Sequence, residues 1–181
     1  MSDDDGADAA NPDPDQAWKA LTLVNEWLRF AEAKAGAVIA AAGVSGGVVY
    51  NLVKSVDHPP WPISAMTILC VVFIVGAGVC AAMVFVPRRK NPGQPEDFSN
   101  LLFYSHITKQ YANDEPTYAD VLGSLTSNRA ELTRHIANQV HANSGVAHCK
   151  FNWATWGIFA IIGALSSLGI LAALVGWHFN G

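Results

Sequence analysis

Three long runs without a formal charge decide what this chain can fold into. Residues 35–53, 63–86 and 153–177 contain no Asp, Glu, Lys or Arg. At 1.5 Å per residue, even the shortest run makes a helix of roughly 29 Å, close to the hydrocarbon thickness of a bilayer. Lipid offers backbone N–H and C=O groups no partners, so such runs cross as helices that satisfy themselves. Pro59, Pro60 and Pro62 forbid continued helix between the first two runs. Trp61 at the mouth of the second, and Trp153, Trp156 and Trp177 around the third, suit the interfacial aromatic belt. The fold class is therefore all-α: an integral membrane protein with three transmembrane helices and cytosolic helical extensions.

Composition agrees. Of 181 residues, 51% are hydrophobic and 14% charged, against about 25% charged in ordinary soluble domains. Three spans leave no room for a large independent enzyme core. The net charge of −4 is unevenly placed. Six acids (Asp3, Asp4, Asp5, Asp8, Asp13 and Asp15) and no base lie in residues 1–15, while the other nine acids face all eleven bases. Residues 1–15 are expected to be a disordered acidic tail. A signal peptide opens with positive charge instead, so the first apolar run is expected to stay as an anchor.

Residues 16–34 form an amphipathic helix, with Asp15 a candidate N-cap. Ala17, Leu21, Val24, Leu28 and Ala31 make its apolar stripe, and Lys19, Thr22, Glu26 and Arg29 lie opposite. No Gly or Pro intervenes before residue 35, so this helix is expected to run straight into the first span. The middle segment, residues 87–152, opens on breakers (Pro87, Pro92, Gly93, Pro95). Helices are expected over 97–112 and 117–125. A long third helix is expected from 127 through 150 into the last span, with a bend allowed at Gly145. Arg29, Lys34, Arg88, Arg89, Lys90 and Lys150 flank the spans on one side, and Lys54 alone on the other. The excess marks the cytosolic side, placing the N-terminus and residues 87–152 inside and the C-terminus outside.

Catalytic signals are missing. There is no GxSxG, no phosphate loop ending in Lys-Ser/Thr and no HExxH. His141 and His148 share a helix face but lie roughly 10 Å apart, too far to share one ion. Cys70, Cys80 and Cys149 show no ligand or disulfide spacing. The chain is read as a non-enzyme without metal or cofactor. Gly43 and Gly47 form a GxxxG with Gly36 and Ala40 on nearly the same face, and Gly163 and Ser167 repeat the spacing in the third span. Such small residues let helices approach closely, either between copies of the chain or within one. Arg29, Lys34, Arg129 and Arg134, with Lys109 and the aromatics Phe103, Tyr104, Tyr111 and Tyr118, have two readings. They are a solvated surface over an aromatic core, or a cationic and stacking site for a phosphate-bearing base. Arg29 also has Glu26 and Glu32 within ion-pairing reach on its own helix.

The run Asn25-Glu26-Trp27-Leu28-Arg29-Phe30-Ala31-Glu32-Ala33-Lys34-Ala35 resembles the opening of the Pycsar effector transmembrane family. There an acidic residue and a Lys-Ala pair begin the first membrane helix. Pro87-Arg88, Leu101-Leu102-Phe103-Tyr104 and residues 143–151 follow in the same order. The likeness covers about residues 17–178. Glu32 stands where the family usually has Asp, and Val146 and Phe151 where Ile and Tyr are common. The resemblance implies a bacterial antiphage effector. It would bind cyclic UMP or cyclic CMP made by a partner pyrimidine cyclase and impair the inner membrane, causing abortive infection. Under it, the cyclic phosphate falls to Arg129 and Arg134 with Arg29 or Lys34, and the pyrimidine to Phe103 or Tyr104. The implied partners are the cyclic nucleotide, lipid and further copies of the chain in a homo-oligomer, with no nucleic acid. A membrane scaffold docking a cytosolic protein, and a constitutive channel, are the alternatives.

Overall fold

Five helices make up the described part of the chain, residues 12–54, 56, 58–86, 104–112 and 114–180 of a computed structural model. They are α1 (Pro14–Val53), α2 (Trp61–Phe85), α3 (Tyr104–Gln110), α4 (Glu115–Ser127) and α5 (Arg129–Asn180). Among the described residues there is no strand. Three of the helices, α1, α2 and α5, are long and apolar enough to cross a membrane.

Side-chain caps set the starts of α1, α4 and α5. Asp13, not Asp15, begins α1: its Oδ1 accepts from the Asp15 N–H at 3.0 Å, and Pro14 takes the first helical position, where no N–H is needed. Asp114 Oδ1 accepts from the Thr117 N–H at 3.3 Å to start α4. Asn128 closes α4, its N–H bonding Leu125 O at 3.2 Å, and then opens α5. Its Oδ1 accepts from the Glu131 N–H at 3.2 Å, as an N-cap does, and its Nδ2 donates to Glu131 Oε2 at 3.5 Å. This places the α4–α5 break one to two residues past the expected one. The helix expected over 97–112 is seen as α3, Tyr104–Gln110, because 97–103 lie outside the described residues. The acidic residues 1–11 lie outside them too.

The chain divides into two compact units, one comprising residues up to Glu26 with Arg89–Gly145, the other Trp27–Arg88 with Val146–Gly181. In the first, Leu21 of α1, Leu125 of α4, and Leu132 and Ile136 of α5 form the core, with Ala17 and Val140 against it. In the second, α1 and α5 run parallel and α2 antiparallel to both. Ala35, Val38 and Ala42 meet Ala77, Ala81, Val84, Ala154 and Ile161 at one end, and Val49, Ile63, Cys70, Leu171 and Val175 form the core at the other. Along α1 the buried positions Ala31, Ala35, Val38, Ala42, Ser45 and Val49 alternate steps of four and three, the repeat that keeps a seam facing its partner. Helices α1 and α5 each pass from one unit into the other without a break, and α5 stays α-helical through Gly145.

The small residues divide between two uses. A Cβ on Gly163 would lie 2.8 Å from the Phe73 ring, and one on Gly157 would lie 3.3 Å from Val38 Cγ1. Gly36, Gly43 and Gly47 have nothing within 4 Å of that position. Gly163→Leu should therefore lower unfolding stability in detergent by about 1–3 kcal/mol through overpacking. Gly43→Leu should leave protomer stability within about 0.5 kcal/mol. Equal effects would contradict this division.

Candidate functional site

The charged unit carries Arg129 in the first turn of α5 and Arg134 one and a half turns on. Both are exposed, as is Lys109 of α3. No ion pair holds either arginine among the described residues. Five steps of 100° put the two about 140° apart around the helix, so their Cβ atoms leave different faces of α5. Tyr111 and Tyr118 face each other with ring centroids 5.4 Å apart and planes at 51°. Phe103 lies outside the described residues, and so does the side chain of Tyr104.

A polar ladder also lies in this unit. Asn143 Nδ2 donates to Asn25 Oδ1 at 2.9 Å, and Gln139 Nε2 donates to Asn143 Oδ1 at 3.3 Å. His135 is buried on the same helix, 4% exposed. His141 and His148 are exposed, and no three of His, Cys, Asp and Glu converge among the described residues.

Arg29 and Lys34 belong to the apolar unit, at the end where α1 begins its span. Arg29 is exposed. Neither Glu26 nor Glu32 pairs with it among the described residues. Glu32 Oε1 instead accepts from Lys150 Nζ of α5, the one ion pair among them. Lys34 Nζ stands 4.6 Å from the centroid of Phe30 and 5.3 Å from that of Phe151. The rings themselves are 6.5 Å apart. Lys34 therefore already sits against two aromatic faces, an arrangement worth about 0.5–2 kcal/mol depending on desolvation. Both the Asn25–Asn143 and the Glu32–Lys150 partners are 118 residues apart in sequence. Spacing within either helix cannot show that register.

Within the membrane bundle a groove of about 530 Å³ runs between α2 and α5 along Phe73, Gly76, Cys80, Asn152, Trp153 and Trp156. No cation lines it, so it offers nothing to a phosphate. The bundle's buried polar side chains are Ser45 and Ser167, and Ser167 Oγ donates to Gly163 O of its own helix at 2.9 Å.

The family model of the Pycsar effector protein domain matches residues 16–177, spanning everything from the first turn of α1 to the end of the third membrane helix. The chain belongs to the Pycsar effector family. The Pycsar effector protein PtPycTM of Propioniciclava tarda is 35% identical over 169 residues, covering 89% of this chain and 80% of that protein. No solved structure matches the chain. The match takes in all five helices, so the extensions outside the membrane are part of the family's pattern along with the spans.

Proposed function

We propose that this Pycsar effector binds a cyclic pyrimidine nucleotide, cyclic UMP or cyclic CMP, on its charged unit and responds by breaching the bacterial inner membrane, arresting the infected cell. The observation that carries the reading is the continuity of α1 and α5. Each helix has one part in the charged unit and another in the apolar unit. A ligand that prefers one arrangement of these helices shifts the equilibrium by its differential affinity alone. Going from 1:99 to 99:1 takes about 5.5 kcal/mol, a demand that several sites in an oligomer share.

The proposal places the N-terminus and the charged unit in the cytosol and the C-terminus outside, following the positive charge at residues 29, 34, 88–90 and 150. The protein performs no catalytic step in this scheme. Its ligand comes from a pyrimidine cyclase. Arg134 or Arg129 supplies the phosphate contact, with Phe103 or Tyr104 as the ring under the base. The open face of Gly36, Ala40, Gly43 and Gly47 supports self-association, because close backbone approach is what drives helix pairing in lipid.

Titrating the purified protein with each nucleotide tests the reading. Saturation at 100 times Kd stabilises the folded state by about 2.7 kcal/mol, seen as a raised melting temperature. Arg134→Ala is expected to weaken binding by a factor of about 10 or more, the value of a charge-assisted hydrogen bond, with membrane insertion intact. No shift with either nucleotide points to the scaffold reading. Leakage without nucleotide points to a constitutive channel, which the apolar interior of the bundle disfavours.

A further inference from the structure

We propose that Glu32, Lys150 and Lys34, with the rings of Phe30 and Phe151, form a clamp that holds the inner ends of α1 and α5 together and keeps the membrane bundle sealed. Every member lies in the apolar unit, three from α1 and two from α5. The ion pair joins one helix to the other. Two residues along α1 from Glu32, the Lys34 ammonium stands over a ring from each helix, at 4.6 and 5.3 Å. The Lys150 side chain is 16% exposed and that of Glu32 42%, so the pair is partly shielded from water and its loss costs more than that of a fully exposed pair.

The arrangement that the clamp secures is closed to water. Just beyond it, Ala35, Ala77, Ala81 and Ala154 are each at most 1% exposed, and no Asp, Glu, Lys, Arg or His follows along any of the three spans. A continuous path for ions needs α1 and α5 to separate or rotate at this level. The clamp is the polar contact which opposes that movement. Its place, where both helices enter their apolar segments, lets a rotation delivered from the charged unit pull the pair apart. Lys34, which the family resemblance offers as a phosphate contact, belongs to the seal in this proposal.

The inference rests on the proposed breach of the membrane, and dye release from liposomes holding the full chain separates the two. Without nucleotide, Glu32→Gln and Lys150→Gln should each raise basal release roughly threefold to tenfold over the unaltered protein. The exchange Glu32→Lys with Lys150→Glu should bring it back toward the unaltered level. Singles that insert and release no more than the unaltered protein overturn the clamp, and so does a double exchange as leaky as the singles. If a single is lost from the membrane, Lys34→Met, which keeps the ion pair and removes the cation between the rings, carries the test with the same expected sign. Nucleotide-triggered release by the unaltered protein is read in the same liposomes. Its absence removes the functional reading and leaves the basal comparison standing.

Discussion

Gly145→Pro should abolish nucleotide-triggered leakage while leaving nucleotide binding in place. The position is exposed, so the change removes no packing contact and acts on the backbone. Proline at 145 deletes the hydrogen bond to the His141 carbonyl and clashes with it. The local cost is about 3 kcal/mol, enough to kink α5 where it leaves the charged unit. If α5 carries the signal, the kink interrupts it, and release falls to the level without nucleotide. The control is Gly145→Ala, which helix propensity favours by roughly 1 kcal/mol. It should preserve release. Binding is followed by the melting-temperature shift, so loss of the site and loss of transmission are distinguished. A proline variant that leaks with unchanged nucleotide dependence would remove helix continuity from the mechanism.

The second large effect concerns the small-residue core of the bundle. Ala154 is 1% exposed and lies against Ala35, Ala77 and Ala81. Ala154→Asp puts a carboxylate among buried alanine, valine and isoleucine side chains where the helices already touch. Burying the unpaired charge costs several kcal/mol, and overpacking adds about 1–3. The sum exceeds the usual range for a single substitution, and the folded, inserted fraction should collapse. Ala154→Ser should cost about 1 kcal/mol or less, because its hydroxyl can donate to a carbonyl of its own helix, as Ser167 does to Gly163. Detergent-extracted yield and thermal unfolding measure both. An Asp variant as stable as the Ser variant would mean that this core is open to water.

The spans were legible because their signal is physical and local: an uncharged run longer than the bilayer is thick has few other fates. Helix continuity was legible for the same reason, from the lack of Gly or Pro between 16 and 35. The α1 cap was misplaced by two residues because Asp13 and Asp15 are the same residue type on either side of Pro14. The deciding fact is that proline suits the first helical turn and not the position before a cap. Asn128 is an N-cap residue type readable in the sequence, and it sets the α4–α5 break more sharply than periodicity does. What spacing could not show is register. Glu32 has Arg29 three residues away on its own helix, yet its partner is Lys150, 118 positions on. Lys34 looks like any basic residue at a membrane border until Phe151 is brought beside it. Likewise, GxxxG at 43–47 and the glycine at 163 read alike, and only the folded bundle shows that Gly163 is filled by Phe73 while Gly43 and Gly47 face outward.

The most direct test of the account is dye release from liposomes containing the purified full chain, measured as cyclic UMP or cyclic CMP is titrated on the side where Arg134 is accessible. The account predicts a tight vesicle without nucleotide and saturable release with one or both of the two, lost in Arg134→Ala. Vesicles that stay intact at every nucleotide concentration, although the protein is folded and inserted, would contradict it.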